Sequence, residues 1–216
     1  MAWVTGIGLL IVAYLLGATP TGYLVARAVK GIDIREHGSG NTGATNVFRV
    51  VGKGPGLAVF AIDLVKGWLA VTGVGWGITL LVGDSVGAIA QAWWVTLAGL
   101  LAIVGHSRSI WLNWTGGKSA ATGLGVLLAM SWPVGLGAAG IFASVLAVSR
   151  IVSLGSMVAA VGAVVLMAVT GQPIPYVLLT IAGSVYVILR HRSNIQRLLA
   201  GTEPKVGSRP AIPPSP

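Results

Sequence analysis

The chain is a succession of apolar runs, several of them near or beyond the roughly 20 residues that a helix needs to cross a bilayer. No stretch between the runs is long enough to hold a separate soluble domain. Because 55% of the residues are hydrophobic and only 9% are charged, a soluble domain of this size could not cover its surface with polar groups. The sequence therefore predicts one all-α integral membrane domain over residues 1–203, followed by a Pro-rich, disordered tail over residues 204–216.

Seven transmembrane helices are predicted, with the N-terminus outside. They are assigned to residues 3–26, 55–76, 85–104, 119–132, 134–149, 151–170 and 174–189. The fourth and fifth are kept separate because Ser131, Trp132 and Pro133 interrupt an apolar stretch, and proline removes a helical donor and clashes with the preceding turn. The first run has no basic segment before it, so we expect a retained helix rather than a signal peptide.

The positions of the basic residues support this topology. The net charge is +9, but the bases fall in the breaks between apolar runs and in the tail, which argues against a nucleic-acid surface. Lys66 is the one base inside a run; the others are Arg27, Lys30, Arg35, Arg49, Lys53, Arg108, Lys118, Arg150, Arg190, Arg192, Arg197, Lys205 and Arg209. Seven helices place all of them on the cytoplasmic side, whereas five helices would strain the segment around Arg150. Three polar segments, residues 28–53, 105–118 and 190–203, then meet at that side; we call them the first, second and third polar loops.

The first polar loop has the composition of a phosphate site. It contains Gly38-Ser39-Gly40-Asn41-Thr42-Gly43-Ala44-Thr45-Asn46 and ends in Arg49. Glycines free backbone N–H groups, short polar side chains add donors, and the planar guanidinium suits phosphate oxygens. The glycines also match a dinucleotide fingerprint with Asp63 following, but that fingerprint needs a soluble sheet and Asp63 lies in a membrane run. The simpler alternative is a flexible surface turn.

The second and third polar loops add cations and one candidate site histidine each, His106 and His191. Gly116-Gly117-Lys118 looks like the end of a P-loop, but Leu112 stands where the first glycine is required, so Lys118 is either an anion-binding ammonium or an interfacial lysine. His106 is either a site residue or a helix-terminal hydrogen-bonding group. In the third loop, His191, Asn194 and Arg197 share a helical face, which would form a wall of the site or a lipid-binding stretch.

Together the three loops resemble the membrane-embedded bacterial glycerol-3-phosphate acyltransferases that use acyl phosphate. The first matches the family block G-S-G-N-x-G-A-T-N with its following arginine, and the third matches N-I-x-R-L-x-x-G-x-E from Asn194 to Glu203. The second keeps Gly105-His106, Leu112, Gly116-Gly117-Lys118 and Ala121-Thr122, but has Ser109 where proline is usual and Asn113 where glycine is common.

The resemblance implies site residues and a reaction. The residues implied to be catalytic are Ser39, Arg49, Lys118, His191 and Asn194. Those expected to bind substrate are Gly38, Gly40, Asn41, Gly43, Ala44, Thr45, Asn46, His106, Gly116, Gly117 and Glu203, with Asn41 and Thr45 in the acyl phosphate pocket. The implied reaction converts acyl phosphate and glycerol 3-phosphate to 1-acyl-glycerol 3-phosphate and phosphate at the bacterial inner membrane, with active-site loops facing the cytoplasm. No metal, nucleotide or other cofactor is expected; the bilayer is a partner, and a soluble enzyme that makes acyl phosphate is a candidate second partner.

The residue inventory suits this chemistry, because both substrates carry phosphate and the site needs cations and N–H donors. The chain has no cysteine, which excludes thiol nucleophiles, and we find no Ser-His-Asp set. Two groups remain to accept the hydroxyl proton: a substrate phosphate, or His191. Two other functions stay open. Asp63 and Lys66, one turn apart in a span, would suit a carrier of a phosphorylated metabolite, and the basic face would suit a lipid-binding scaffold.

Overall fold

The structure is a computed structural model in which residues 2–83 and 86–207 are described. Within those residues the chain forms ten α-helices and no β-strand beyond an isolated bridge between Ser109 and Thr115. The helices are α1 Ala2–Ala18, α2 Thr21–Lys30, α3 Ala44–Val50, α4 Lys53–Val82, α5 Ala88–Ser107, α6 Ala120–Met130, α7 Trp132–Ser149, α8 Val152–Val169, α9 Ile174–Arg190 and α10 Arg192–Leu199. The all-α prediction is confirmed. Of the tail predicted from residue 204, residues 208–216 lie outside the described part. The Val206 N–H donates to the Arg150 carbonyl, and the Arg150 guanidinium donates to the Val206 carbonyl.

Each predicted span coincides with a helical segment, although the bounds differ. Among the described residues, five segments are long and apolar enough to cross a membrane, and the first of them runs through α1 and α2. Helices α9 and α10, bent by 59°, make a sixth if the pair is counted as one span. The apolar helix α6 has only 11 residues, about half the length that a bilayer requires. The number of crossings and the outside position of the N-terminus remain predictions.

The break predicted at Ser131-Trp132-Pro133 is confirmed. Helix α6 ends at Met130 and α7 begins at Trp132, with Pro133 in its first turn. Proline is tolerated there because N–H groups in the first turn of a helix make no intrahelical hydrogen bond. Ser131 between them is extended, with φ −155°. The apolar stretch is therefore divided into two helices, α6 and α7, which pack against each other.

The outer surface of the helices is apolar, as expected for a multi-pass membrane protein. Trp3 is 75% exposed, Leu80 is 81% exposed and Val148 is 90% exposed. Water would disfavour so much contiguous apolar area, but lipid does not. The helices also approach closely: a Cβ on Gly125 would lie 1.9 Å from the Leu64 carbonyl oxygen.

The first polar loop contains a helix that the sequence did not predict, whereas a helix in the third loop is what the shared face of His191, Asn194 and Arg197 requires. The first loop includes the end of α2, a 3₁₀ turn at Ile34–Glu36 and all of α3, which packs against α4. The third loop is largely α10, so the last span does not end in irregular chain. These short helices, with the second loop, cover one end of α4, α5 and α6.

Candidate active site

A cavity of about 220 Å³ lies beneath the three polar loops. Its polar end is lined by residues of all three: Ser39, Asn41, Thr45, Arg49, His106, Lys118, His191, Asn194, Arg197 and Glu203. Its other end continues between helices α5 to α9 and is lined mainly by apolar side chains such as Leu124, Leu127, Met130, Phe142 and Leu179. The cavity is therefore amphiphilic, with cations at one end and a hydrocarbon-like interior at the other.

Asn46 holds the first polar loop in shape. Its side-chain oxygen accepts from the Ser39 N–H at 3.0 Å, and its amide nitrogen donates to the carbonyls of His37 and Asn41, both at 2.9 Å. The side chain is 3% exposed, so its hydrogen-bonding groups are used within the loop. Asn46 was predicted to bind substrate, and it lines the cavity; its hydrogen bonds also position Ser39.

Gly38 and Asn41 shape the same loop. Gly38 has φ +61°, and a Cβ there would lie 2.4 Å from the Asn46 side-chain oxygen, so only glycine fits. The Asn41 side-chain oxygen accepts from the Gly43 N–H at 2.8 Å, which turns the chain into α3. Gly38 and Gly40 do not line the cavity, whereas Asn41, Gly43, Ala44 and Thr45 do.

The second polar loop is built around His106. A Cβ on Gly117 would lie 2.0 Å from the His106 Nε2, and the Gly117 N–H donates to the His106 carbonyl at 3.1 Å. Arg190 donates to the carbonyls of Gly116 and Gly117, each at 3.1 Å. Neither glycine lines the cavity, and their contacts fix the chain next to Lys118. Their predicted role in substrate binding remains a prediction.

A continuous hydrogen-bond network joins the second and third loops. The Lys118 ammonium donates to the Asn194 side-chain oxygen, and the Asn194 amide donates to Glu203 Oε1 at 2.5 Å. Glu203 also accepts from Ser153 on α8 at 2.7 Å and from Arg197 Nε at 2.7 Å. Burial works to raise the pKa of Glu203, but these hydrogen bonds outweigh it and hold the pKa below its ordinary value.

Lys118 is the cation with the most perturbed environment at the polar end. Its pKa is lowered to about 8, first because burial disfavours the ammonium and then because Arg197, Arg190 and Arg49 repel it, while Glu203 opposes the shift. Arg49 is exposed and makes only a long hydrogen bond, 3.4 Å, to the Pro204 carbonyl. Arg49 can therefore turn towards an arriving anion, whereas the Lys118 ammonium is held by Asn194.

His191 is buried at the end of α9, with a fixed tautomer. Its Nδ1 lies 2.7 Å from the Val187 carbonyl oxygen, which can only accept, so Nδ1 carries the proton and Nε2 is the acceptor of the neutral ring. Burial is the main cause that lowers the pKa of His191, so the ring is neutral near pH 7. The imidazole can thus receive a hydrogen bond from a hydroxyl.

Asp63 and Lys66 form the ion pair that the sequence predicted. Their charged groups are 2.8 Å apart, both side chains are buried, and Lys66 also donates to the Thr19 carbonyl at 2.8 Å. Asp63 lines the cavity and lies 3.6 Å from the Nδ1 of His106. Its charge is thus balanced inside the protein.

Sequence reasoning missed several residues of this site. Arg197 was predicted, with His191 and Asn194, to form a wall of the site or a lipid-binding stretch, but it was assigned neither to catalysis nor to substrate binding. Ser153 carried none, because it is a single hydroxyl in an apolar span that meets Glu203 only through the fold. The apolar lining also follows from tertiary packing rather than from any motif.

Similar proteins are known. A profile of the family described as Glycerol-3-phosphate acyltransferase matches residues 7–201. A protein named Glycerol-3-phosphate acyltransferase from Trichormus variabilis is 55% identical over 205 residues, which are 92% of this chain and 91% of that protein. Two solved structures of PlsY (YgiH), an integral membrane glycerol 3-phosphate acyltransferase, are each 36% identical and cover 94% of this chain. The glycerol 3-phosphate form has a TM-score of 0.82 over 96% of its length, and the lysophosphatidic acid form has 0.80 over 95%.

Proposed function

The chain belongs to the glycerol-3-phosphate acyltransferase family, and from that premise we propose that it transfers an acyl group from acyl phosphate to glycerol 3-phosphate. The products are 1-acyl-glycerol 3-phosphate and inorganic phosphate. The observation that carries this proposal is the amphiphilic cavity, in which a cationic end opens into an apolar interior. An acyl phosphate has the same two parts, a dianionic head and a hydrocarbon chain.

The cations and donors at the polar end suit two phosphate groups. Arg49 and Lys118 come from different loops and could hold one anion each, which would place the glycerol hydroxyl beside the acyl carbon. Ser39, whose backbone is held by Asn46, presents its hydroxyl and the neighbouring amides to the oxyanion or the departing phosphate. Asn194 and Glu203 act through Lys118 by fixing its position.

The reaction balances without a protein base. The hydroxyl oxygen bonds to the acyl carbon, the acyl–oxygen bond to phosphate breaks, and the hydroxyl proton is carried away on the phosphate. His191 Nε2 is the alternative acceptor, since it is unprotonated in the neutral ring. His191→Gln separates the two: near-normal turnover at saturating substrate would assign the proton to phosphate, and a large loss of turnover with unchanged KM would assign it to His191.

The direct test uses the full chain purified in detergent. With acyl phosphate and glycerol 3-phosphate it should release phosphate and form lysophosphatidate in equal amounts, and Arg49→Ala or Lys118→Ala should abolish both. Acyl-coenzyme A replaces acyl phosphate as the donor control. Folded protein that makes no product from acyl phosphate, or that prefers the thioester, would refute the proposed donor.

The same proposal places the protein in the bacterial inner membrane, as a single domain over residues 1–203 with seven crossings and its polar loops in the cytoplasm. The basic loops support this orientation through the positive-inside rule. Because the chain has no cysteine, single cysteines can report topology without background. A cysteine in place of the exposed Lys53 should react only from the cytoplasmic side, and one in place of Gly171, between α8 and α9, only from the outside.

A further inference from the structure

The cavity, measured from its polar end, extends a similar distance along three helices. Its lining follows Ala120–Met130 on α6, residues 152–163 on α8 and residues 179–191 at the end of α9. At about 1.5 Å per residue these stretches are roughly 15–18 Å long. That is about half of the roughly 30 Å hydrocarbon core, or one leaflet of a bilayer. The cavity, including its polar end, is therefore about as deep as one leaflet of the bilayer.

Packed, buried side chains lie at the deep end of the cavity. Met130 and Leu179 are buried members of the hydrophobic core that joins α1, α4, α5, α6 and α9. Ala138 and Ala163 are buried on the opposite side, at 3% and 1% exposure. Such a core resists added volume. We call these four residues the floor of the cavity.

The walls above the floor present little polarity, although they contain hydroxyl groups. Ser156 donates to the Val152 carbonyl at 3.0 Å and Thr180 to the Tyr176 carbonyl at 2.8 Å, each within its own helix. Ser184 donates to the Ala160 carbonyl at 2.6 Å. With their hydroxyls bonded to backbone, these side chains leave an interior that an alkyl chain can fill without displacing hydrogen bonds.

We propose that the floor formed by Met130, Ala138, Ala163 and Leu179 sets the longest acyl chain that the protein transfers efficiently. The inference rests on the proposed function, because the occupant of the apolar end is the acyl chain of the donor whose phosphate lies among the loop cations. A chain that reaches the floor fills the apolar end. A longer chain must bend or displace core side chains.

Bulky substitutions at two depths test whether the floor limits the length of the acyl chain. Ala163→Leu raises the floor, and Ala160→Leu adds the same volume one turn, or roughly 4–5 Å, nearer the polar end. The matched control is Ala168→Leu, on the same helix at an exposed position that does not line the cavity. Initial rates with palmitoyl phosphate and with decanoyl phosphate are measured for each protein by product mass. A misfit of one or two methylenes in an apolar pocket is typically worth tenfold or more.

We expect Ala163→Leu to lower the palmitoyl-to-decanoyl rate ratio about tenfold, Ala160→Leu to lower it further, and Ala168→Leu to leave it unchanged. If Ala163→Leu does not fold, Ala163→Val and the floor-lowering Met130→Ala replace it, and the second should raise the relative rate of donors longer than palmitoyl phosphate. Product formation with an unchanged ratio in all floor variants would overturn the proposal, since the chain end would then pass between helices into lipid. Absence of product from every donor in the unsubstituted protein would instead overturn the proposed function.

Discussion

Replacing Lys118 by arginine should abolish a loss of activity at alkaline pH. The pKa of Lys118 is lowered to about 8, chiefly by burial and then by neighbouring guanidinium groups. Below that pH the side chain is a cation that can bind phosphate; above it the ammonium loses its proton. We therefore expect kcat/KM for glycerol 3-phosphate to fall with the protonated fraction of Lys118 as pH rises through about 8. In Lys118→Arg the guanidinium stays charged, so this decline should disappear even if the maximal rate is lower.

The magnitude and sign of the effect on stability distinguish this group from others. The change in pKa from 10.5 to about 8 corresponds to about 3 kcal/mol between the charged and neutral forms, and to less at a partly buried side chain that water screens. Between these two pH values the unfolded chain binds more protons than the folded protein, so the free energy of unfolding rises with pH. Activity and stability should thus change in opposite directions over one pH range.

The assay measures lysophosphatidate formation and thermal unfolding in detergent at pH values on both sides of 8, with the donor's spontaneous hydrolysis subtracted. Bound phosphate favours the ammonium, so the decline in kcat should lie at higher pH than the decline in kcat/KM. Lys53→Arg serves as the control, since Lys53 is exposed and outside the cavity. If Lys118→Arg shows the same alkaline decline as the unsubstituted protein, another group titrates and the reasoning is wrong.

Three further substitutions test the supports of the site. Gly117→Ala brings a Cβ to within 2.0 Å of the His106 ring, so KM for glycerol 3-phosphate should rise roughly tenfold, whereas Gly140→Ala, with open space around it, should leave steady-state kinetics unchanged. Glu203→Gln removes charged hydrogen bonds and should lower the free energy of unfolding by roughly 1–3 kcal/mol. Because the pKa of Glu203 is depressed, the unsubstituted protein should lose this stability as pH falls through that pKa. Denaturant titrations at two pH values will show whether the difference in stability between the two proteins becomes smaller in acid. Asp63→Asn leaves its buried ammonium partner unpaired and should cost about 3–5 kcal/mol, measured by thermal unfolding; a variant as stable as the unsubstituted protein would show that the pair contributes little.

The sequence predicted those parts of the fold that depend on local chemistry. The break at Ser131-Trp132-Pro133 follows from the stereochemistry of one proline and needs no tertiary information. The gathering of the three polar loops at one end followed from charge placement, and the hydrogen bond from Lys118 to Asn194 is one consequence of it. Helix α3, by contrast, was missed because its seven residues carry a phosphate-loop pattern, and packing against α4 decides its conformation.

Residue roles were harder to predict than residue positions. Motifs that point to substrate binding contain Gly116, Gly117 and Asn46. The hydrogen bonds and close contacts of these residues are made with other protein groups. A motif records that a residue type is needed, and it does not separate contact with a ligand from support of a neighbour. The distinction requires coordinates, because it depends on whether the donors and acceptors of a side chain already have partners.

The charges at the polar end show why a single buried acid suits this site. Arg49, Lys118 and Arg197 line the cavity, and at close range three cations would repel one another in the absence of substrate. Glu203 reduces that repulsion, and since all its hydrogen bonds run to protein groups it can do so while leaving Arg49 free to bind phosphate. Asp63 adds no further negative charge, because Lys66 balances it. The excess of positive charge that remains is what two phosphate groups would neutralise, so binding of the substrates should stabilise the fold as well as the reaction.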